Sequence, residues 1–297
     1  MVKTSRVEKG EICQNLLTSR LLKRQMDPFK KAFDFYVFSN IHVAVSACCL
    51  VLITLNGHTN YQFGSVFVVF FATILAYNFI RIVELDRLHS FNSNWIKSSS
   101  NGLIVLNILS LIGLLASVFS LSLQDLISLI PFALLTLLYV VPGRLKFKGL
   151  RNVPGLKLFV IALVWAGVTA LFPLLANDIP IEKKEIVVLV QRFLIILAIT
   201  IPFDIRDLAL DKSEMDTLPQ LLGIKYAKVI AIIAVILFDL FYLSAGFALR
   251  EQVIGLVISI LSIIMILASG VYQNKYYSSF WVESIPIIWF LLLYLFP

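Results

Sequence analysis

The 297-residue chain has a mean hydropathy of +0.91, and only 14% of its residues are charged. This composition excludes an ordinary soluble globular protein. The net charge of +7 does not require a nucleic-acid partner, because basic residues at one face of a membrane protein meet anionic lipid or an anionic substrate.

The apolar residues occur in blocks that approach the roughly 20 residues a helix needs to cross a bilayer. Nine segments are predicted, and only Ser122, Gln124 and Asp125 interrupt the third and fourth. The sequence therefore predicts an all-α fold, a polytopic membrane bundle of about nine transmembrane helices. Residues 1–36 form a basic cytoplasmic segment and residues 37–297 the transmembrane domain. In chain order the segments cover residues 37–55, 64–83, 102–121, 124–141, 157–176, 185–203, 226–247, 251–270 and 280–296.

The distribution of basic residues predicts the orientation of the bundle. Residues 1–36 hold eight Lys and Arg, and 21 of the 25 in the chain lie on the same predicted side. The positive-inside rule places this side, with the N-terminus, in the cytoplasm. We expect an integral multi-pass protein of the bacterial inner membrane.

An acidic stretch follows the sixth segment. Asp204, Asp207 and Asp211 stand at i, i+3 and i+7, so a continuing helix would place them within about 60° of one another. Carboxylates on one face repel each other unless a cation lies between them, and Mg²⁺ prefers oxygen ligands. The alternative is a solvated loop whose acids pair with Arg206 and Lys212.

The order of these residues resembles a known motif. The string reads D-x-R-D-x-x-x-D from Asp204 and continues through Thr217-Leu218-Pro219 to Gly223. It resembles the second aspartate-rich motif of the UbiA superfamily of intramembrane prenyltransferases. Residues 137–157 also resemble the cytoplasmic segment that follows helix 4 in that family, and nine helices with the N-terminus inside agree with it.

The resemblance implies a site and a chemistry. In the family, two Asp motifs face each other across a cavity and hold Mg²⁺ on a polyprenyl diphosphate. Its C–O bond ionises, and an acceptor, often an aromatic ring, captures the allylic cation. The resemblance implies catalytic and Mg²⁺-binding roles for Asp204, Asp207 and Asp211, a further metal ligand in Asp86, and substrate contacts from Asn78, Arg81, Asp86, Tyr139, Arg144, Lys146 and Arg206. An ordinary positive-inside loop remains an alternative interpretation of the basic residues after helix 4.

The first aspartate-rich motif departs from the family pattern, N-D-x-x-D-x-x-x-D. Here NFIRIVELD, residues 78–86, keeps Asn78 and Asp86 but has Phe79 and Ile82 at the other two acidic positions. Residues 79–87 align with residues 204–212 as a remnant of duplicated halves, which fixes the register of this comparison.

Two hypotheses follow from this asymmetric pair of motifs. In the first, the protein is a Mg²⁺-dependent prenyltransferase that moves a polyprenyl group to an acceptor, with Arg81 contacting the diphosphate where acids are missing. In the second, it is a catalytically impaired member of the family that binds an isoprenoid or quinone, or serves as a membrane partner subunit. Both hypotheses imply lipophilic partners in the membrane, and the identity of the acceptor stays open.

Overall fold

The computed structural model describes residues 28–58, 61–84, 93–140, 155–208 and 217–296, and within these ranges it contains helices and no strand. Two helices have a π-helical portion: α7 at Gly167–Leu171 and α11 at Tyr277–Val282. The helices are α1 Pro28–Phe38, α2 Ile41–Leu55, α3 Gly64–Glu84, α4 Ser93–Ser98, α5 Ser100–Val118, α6 Leu123–Val140, α7 Leu156–Leu175, α8 Lys183–Asp207, α9 Leu218–Ser244, α10 Leu249–Ala268 and α11 Tyr277–Leu295.

The predicted membrane bundle is confirmed. Among the described residues, seven helices are long and apolar enough to cross a bilayer: α3, α5, α7, α8, α9, α10 and α11. The first predicted segment corresponds to α1 and α2, which together satisfy the same criteria but are bent by 55°. The fourth corresponds to α6, whose apolar stretch is shorter. The chain is therefore an integral multi-pass membrane protein.

The bend between α1 and α2 has a local cause. Asn40 adopts the left-handed conformation with φ of 68°, which ends one helix and reorients the next. Asparagine enters this region more easily than most residues because its short polar side chain bonds locally. Asp34 of α1 accepts hydrogen bonds from Lys275 at 2.7 Å and Tyr276 at 2.5 Å. These bonds hold α1 in its orientation relative to α2. Burial acts to lower the pKa of Lys275, but hydrogen bonds with Asp34 and Tyr276 outweigh it and raise this pKa.

The short connection between α5 and α6 lies where the sequence predicts it. The backbone N–H of Ser122 donates to Asp125 Oδ2 at 2.8 Å, and the backbone N–H of Asp125 donates to Ser122 Oγ at 3.2 Å. This reciprocal pair satisfies backbone donors that the start of α6 would leave unpaired. The two polar residues thus separate two apolar helices.

Helix α8 is the central element of the bundle and packs against α7, α9, α10 and α11. Ile195, Ile201 and Ile205 are fully buried along it. The buried Arg192 donates to Thr54 Oγ1 of α2 at 3.0 Å and lies over the Trp289 ring of α11. This buried packing fixes the position of the end of α8, where the acidic motif begins.

Candidate functional site

A large cavity lies inside the bundle, bounded mainly by α2, α3, α6, α7, α8 and α11. Its volume is about 800 Å³, which is within the range of cofactor and ligand sites. Most of its wall is apolar or aromatic, including Val43, Val68, Phe79, Phe132, Val164 and Trp165. A wall of this kind suits a hydrocarbon chain.

The charged lining residues gather at one end of the cavity, together with several polar ones. Arg81, Tyr139 and Arg206 lie near the last residues of α3, α6 and α8, which all end on the same side of the bundle. The first turns of α2 and α11 reach the same side. We call this end the polar mouth, and its lining residues are Asn40, Arg81, Tyr139, Arg206, Asp207, Ser279 and Glu283.

The second aspartate-rich motif contributes Asp207 and Arg206 to the polar mouth. Helix α8 ends at Asp207, and the Asp207 carboxylate accepts a hydrogen bond from Arg206 Nε at 2.7 Å through Oδ1. Arg206 Nη1 also donates to Ser279 Oγ at 3.1 Å, which connects α8 with α11. No described residue donates a hydrogen bond to Asp207 Oδ2, and Asp207 lines the cavity, where it can contact a ligand.

Asp204 occupies a different environment one turn earlier. Its side chain is buried and accepts a hydrogen bond from Lys157 Nζ at 2.7 Å, and Asp204 does not line the cavity. Lys157 also interacts electrostatically with Asp207 and Tyr139, so it belongs to the same charged group. Lys157 is not among the site residues predicted from the sequence. It is a lone basic residue in the first turn of an apolar helix, and this position could have marked it as a site residue.

The first motif forms a network of amides and one guanidinium. Arg81 donates to the Phe38 carbonyl and, at 2.8 Å, to Asn40 Oδ1. Asn40 donates to Asn78 Oδ1 at 2.7 Å, and Asn78 donates to Asn107 Oδ1 at 2.9 Å. These bonds connect α2, α3 and α5. Asn78 is buried in this network rather than in the cavity wall, whereas Arg81 reaches both.

Four of the predicted site residues lie outside the described residues: Asp86, Arg144, Lys146 and Asp211. Their roles stay predictions, as does the role of Asp204 as a metal ligand. Within the described ranges, no group of three or more His, Cys, Asp or Glu side chains is arranged to hold a metal ion. Mg²⁺ often takes only one or two protein carboxylates and completes its shell with water and substrate phosphate. The Oδ2 of Asp207 fits that limited requirement.

Glu283 is a second acid in the cavity wall that sequence reasoning missed. It follows the π-helical turn of α11, and its main-chain carbonyl accepts a hydrogen bond from Ser46 Oγ at 2.6 Å. Its carboxylate interacts electrostatically with Arg206 and Arg81. An acid inside an apolar segment is the signal that could have identified it, because such residues are rare in membrane spans.

Comparison with known proteins supports the fold. No protein-family model matches this chain, and no curated protein matches it. A solved structure of digeranylgeranylglyceryl phosphate synthase in membranes is similar, with 20% sequence identity and a TM-score of 0.52. The similarity covers 90% of this chain and 98% of the other. At this identity the likeness extends to the fold, which is that of an all-helical, polytopic membrane bundle.

Proposed function

We propose that this protein is an intramembrane prenyltransferase that moves a polyprenyl group from its diphosphate to a lipophilic or aromatic acceptor. The observation that carries the proposal is an apolar cavity of about 800 Å³ with its charged groups confined to one end. A polyprenyl diphosphate has the same division, with a long hydrocarbon tail and a compact anionic head. The fold of the similar synthase and the second aspartate-rich motif support this proposal.

The residues of the polar mouth have different roles in binding the diphosphate. Arg206 and Arg81 supply positive charge, and the remaining N–H groups of a guanidinium bind phosphate oxygens well. Phe79, Phe132 and Trp165 line the cavity and present aromatic rings, which stabilise a nearby allylic cation. Mg²⁺, held by Asp207 and Asp211, would neutralise charge on the leaving diphosphate. The polar mouth would open to the cytoplasm, in agreement with the cytoplasmic N-terminus that the distribution of basic residues predicts.

A second candidate function is binding of an isoprenoid or quinone without transfer. The observation in its favour is the first-motif network, in which Arg81 and Asn78 already bond to neighbouring helices. Under this hypothesis the amide network is a structural replacement for a lost metal site. Both candidates predict that the cavity holds a prenyl chain, and they differ in whether a product forms.

The two candidates are separated by an assay of the purified protein in lipid nanodiscs. Polyprenyl diphosphates are supplied with Mg²⁺ and a set of phenolic, quinol and lipid-alcohol acceptors, and products are identified by mass spectrometry. Because Asp207 would hold the diphosphate charge, we expect Asp207→Asn to reduce turnover by about 100-fold. The matched control is Asp178→Asn, since Asp178 is exposed at the opposite end of the bundle and Asn tolerates its positive φ of 52°.

Three outcomes are decisive for the proposed transfer. Turnover by the unaltered protein and its Asp178→Asn variant, lost in Asp207→Asn, supports a prenyltransferase. Saturable binding of a prenyl diphosphate with no product from any acceptor supports the binding protein instead. Equal turnover in all three proteins contradicts a role for Asp207 and the site proposed here.

A further inference from the structure

Glu283 is an acid that the binding of a diphosphate does not require. It lines the cavity on α11, within the polar mouth that also contains Arg206 and Asp207. The hydrogen bond from Ser46 to its main-chain carbonyl fixes its backbone against α2. The π-helical turn that precedes it displaces the following residues from regular α-helical register, a distortion that often occurs at functional sites.

The Glu283 carboxylate has charged neighbours but no direct partner in the part of the chain that the structure describes. Arg206 and Arg81 attract it electrostatically, yet no described residue forms a hydrogen bond or an ion pair within 4 Å with its side chain. Both guanidinium groups already bond to other residues: Arg206 bonds to Asp207 and Ser279, and Arg81 bonds to Asn40 and the Phe38 carbonyl. An acid in a membrane interior is costly unless it is paired or functional. Because Glu283 lines the cavity, its side chain can contact a bound molecule.

Prenyl transfer requires a group that accepts a proton. When the C–O bond of the prenyl diphosphate breaks, its electron pair leaves with the diphosphate. The new bond to the prenyl carbon takes an electron pair from an acceptor oxygen or aromatic carbon, which must then lose its proton. An apolar cavity contains little water to accept that proton, and a base in the wall is placed to take it. Two acids line the cavity among the described residues, Asp207 and Glu283. Asp207 is paired with Arg206 and would act on the diphosphate, so Glu283 is the acid that can serve as the base.

We propose that Glu283 is the catalytic base that accepts the acceptor's proton, and that the acceptor is therefore a neutral molecule with a hydroxyl or phenol group. This inference rests on the proposed transferase function. The proton moves from the acceptor to a Glu283 carboxylate oxygen as the new bond to the prenyl carbon forms. A neutral acceptor also suits the apolar wall, where an anion would have to be desolvated.

The test is Glu283→Gln, which keeps the size of the side chain and removes its basicity. Two rates are measured in nanodiscs: formation of the prenylated acceptor, and release of diphosphate without acceptor. We expect product formation to fall by about 100-fold, because general base catalysis contributes at least this much. Diphosphate release without acceptor and affinity for the prenyl diphosphate should change less than about twofold, since ionisation needs no base. Glu182→Gln is the matched control, because Glu182 is exposed in the connection before α8 at the opposite end.

The outcomes distinguish this inference from the proposed function. If the unaltered protein forms no product, the proposed function fails and the inference fails with it. If the unaltered protein forms product and Glu283→Gln matches its rate, only the role of Glu283 is overturned. If Glu283→Gln loses diphosphate release and product formation equally, Glu283 acts on the diphosphate half and the assignment as a base is wrong. Melting temperatures of both variants show whether the fold is retained.

Discussion

Two aspartates of one motif, a single turn apart, occupy different environments. Asp207 lines the cavity, whereas Asp204 is buried and bonded to Lys157. A buried ion pair is weak support for stability by itself, but loss of one partner leaves a charge in an apolar place. The pair also connects the first turn of α7 to the last turn of α8 and so positions the end that carries Asp207. Asp204 thus helps to position the site without lining the cavity.

Removing Lys157 should destabilise the protein strongly. We expect Lys157→Met to lower the free energy of unfolding by about 3–5 kcal/mol, because Asp204 loses its ion-pair partner in a buried position. The Lys157→Met/Asp204→Asn double variant should recover part of this loss, since the buried charge is then removed as well. Thermal unfolding in detergent measures both effects. The control is Lys184→Met, because Lys184 is exposed and lies 4.0 Å from Glu251. A Lys157→Met protein as stable as the control would refute a structural role for the pair.

The α1–α2 bend brings the first turn of α2 to the polar mouth. Asn40 has two roles there: its backbone takes the left-handed conformation, and its side chain bonds to Asn78 and Arg81. Substitutions can separate these roles. Glycine adopts a positive φ freely but lacks the side chain, whereas alanine lacks the bonds and also resists the conformation.

Both variants at Asn40 should lose stability, and by different amounts. We expect Asn40→Ala to be less stable than Asn40→Gly by about 1 kcal/mol, because only alanine adds the cost of a left-handed backbone. Each variant should also weaken the binding of a prenyl diphosphate, since Arg81 loses the Asn40 oxygen that helps to orient it. Chemical denaturation and a binding assay measure the two quantities. Equal stability of the two variants would show that the backbone conformation at residue 40 relaxes without cost.

The helices could be predicted more accurately than the site. Apolar length locates the spans, and α3, predicted at 64–83, forms at Gly64–Glu84. The Asn40 bend lies within three residues of a predicted span's start, but the Asn40 side chain bonds to Asn78, which is 38 residues away. The pattern of apolar residues along the sequence does not predict such long-range contacts. Glu283 and Lys157 were not predicted as site residues for the same reason. Each becomes part of the site only when its helix, α11 or α7, packs against α8.

The shape of the cavity should determine which lengths of prenyl chain the protein accepts. Phe132 lines it on α6, seven residues or about 10 Å deeper than Tyr139 at the polar mouth. Its ring packs against Gly167 in the π-helical portion of α7, where an added Cβ would lie 1.9 Å from the Phe132 ring. The absence of a side chain at residue 167 therefore lets the ring seat against α7. Phe132 forms part of the wall against which a prenyl tail would lie.

Shortening this side chain should change the preference for chain length. We expect Phe132→Ala to shift the ratio of kcat/KM for geranylgeranyl over farnesyl diphosphate upward by about tenfold, because the added space accommodates more methylene groups. Competition between the two diphosphates in one assay, with products resolved by mass spectrometry, measures the ratio directly. Phe159→Ala is the matched control, since Phe159 is on α7 but exposed outside the cavity wall. The same shift in both variants would mean that general loosening of the bundle, rather than the space beside Phe132, determines the preference.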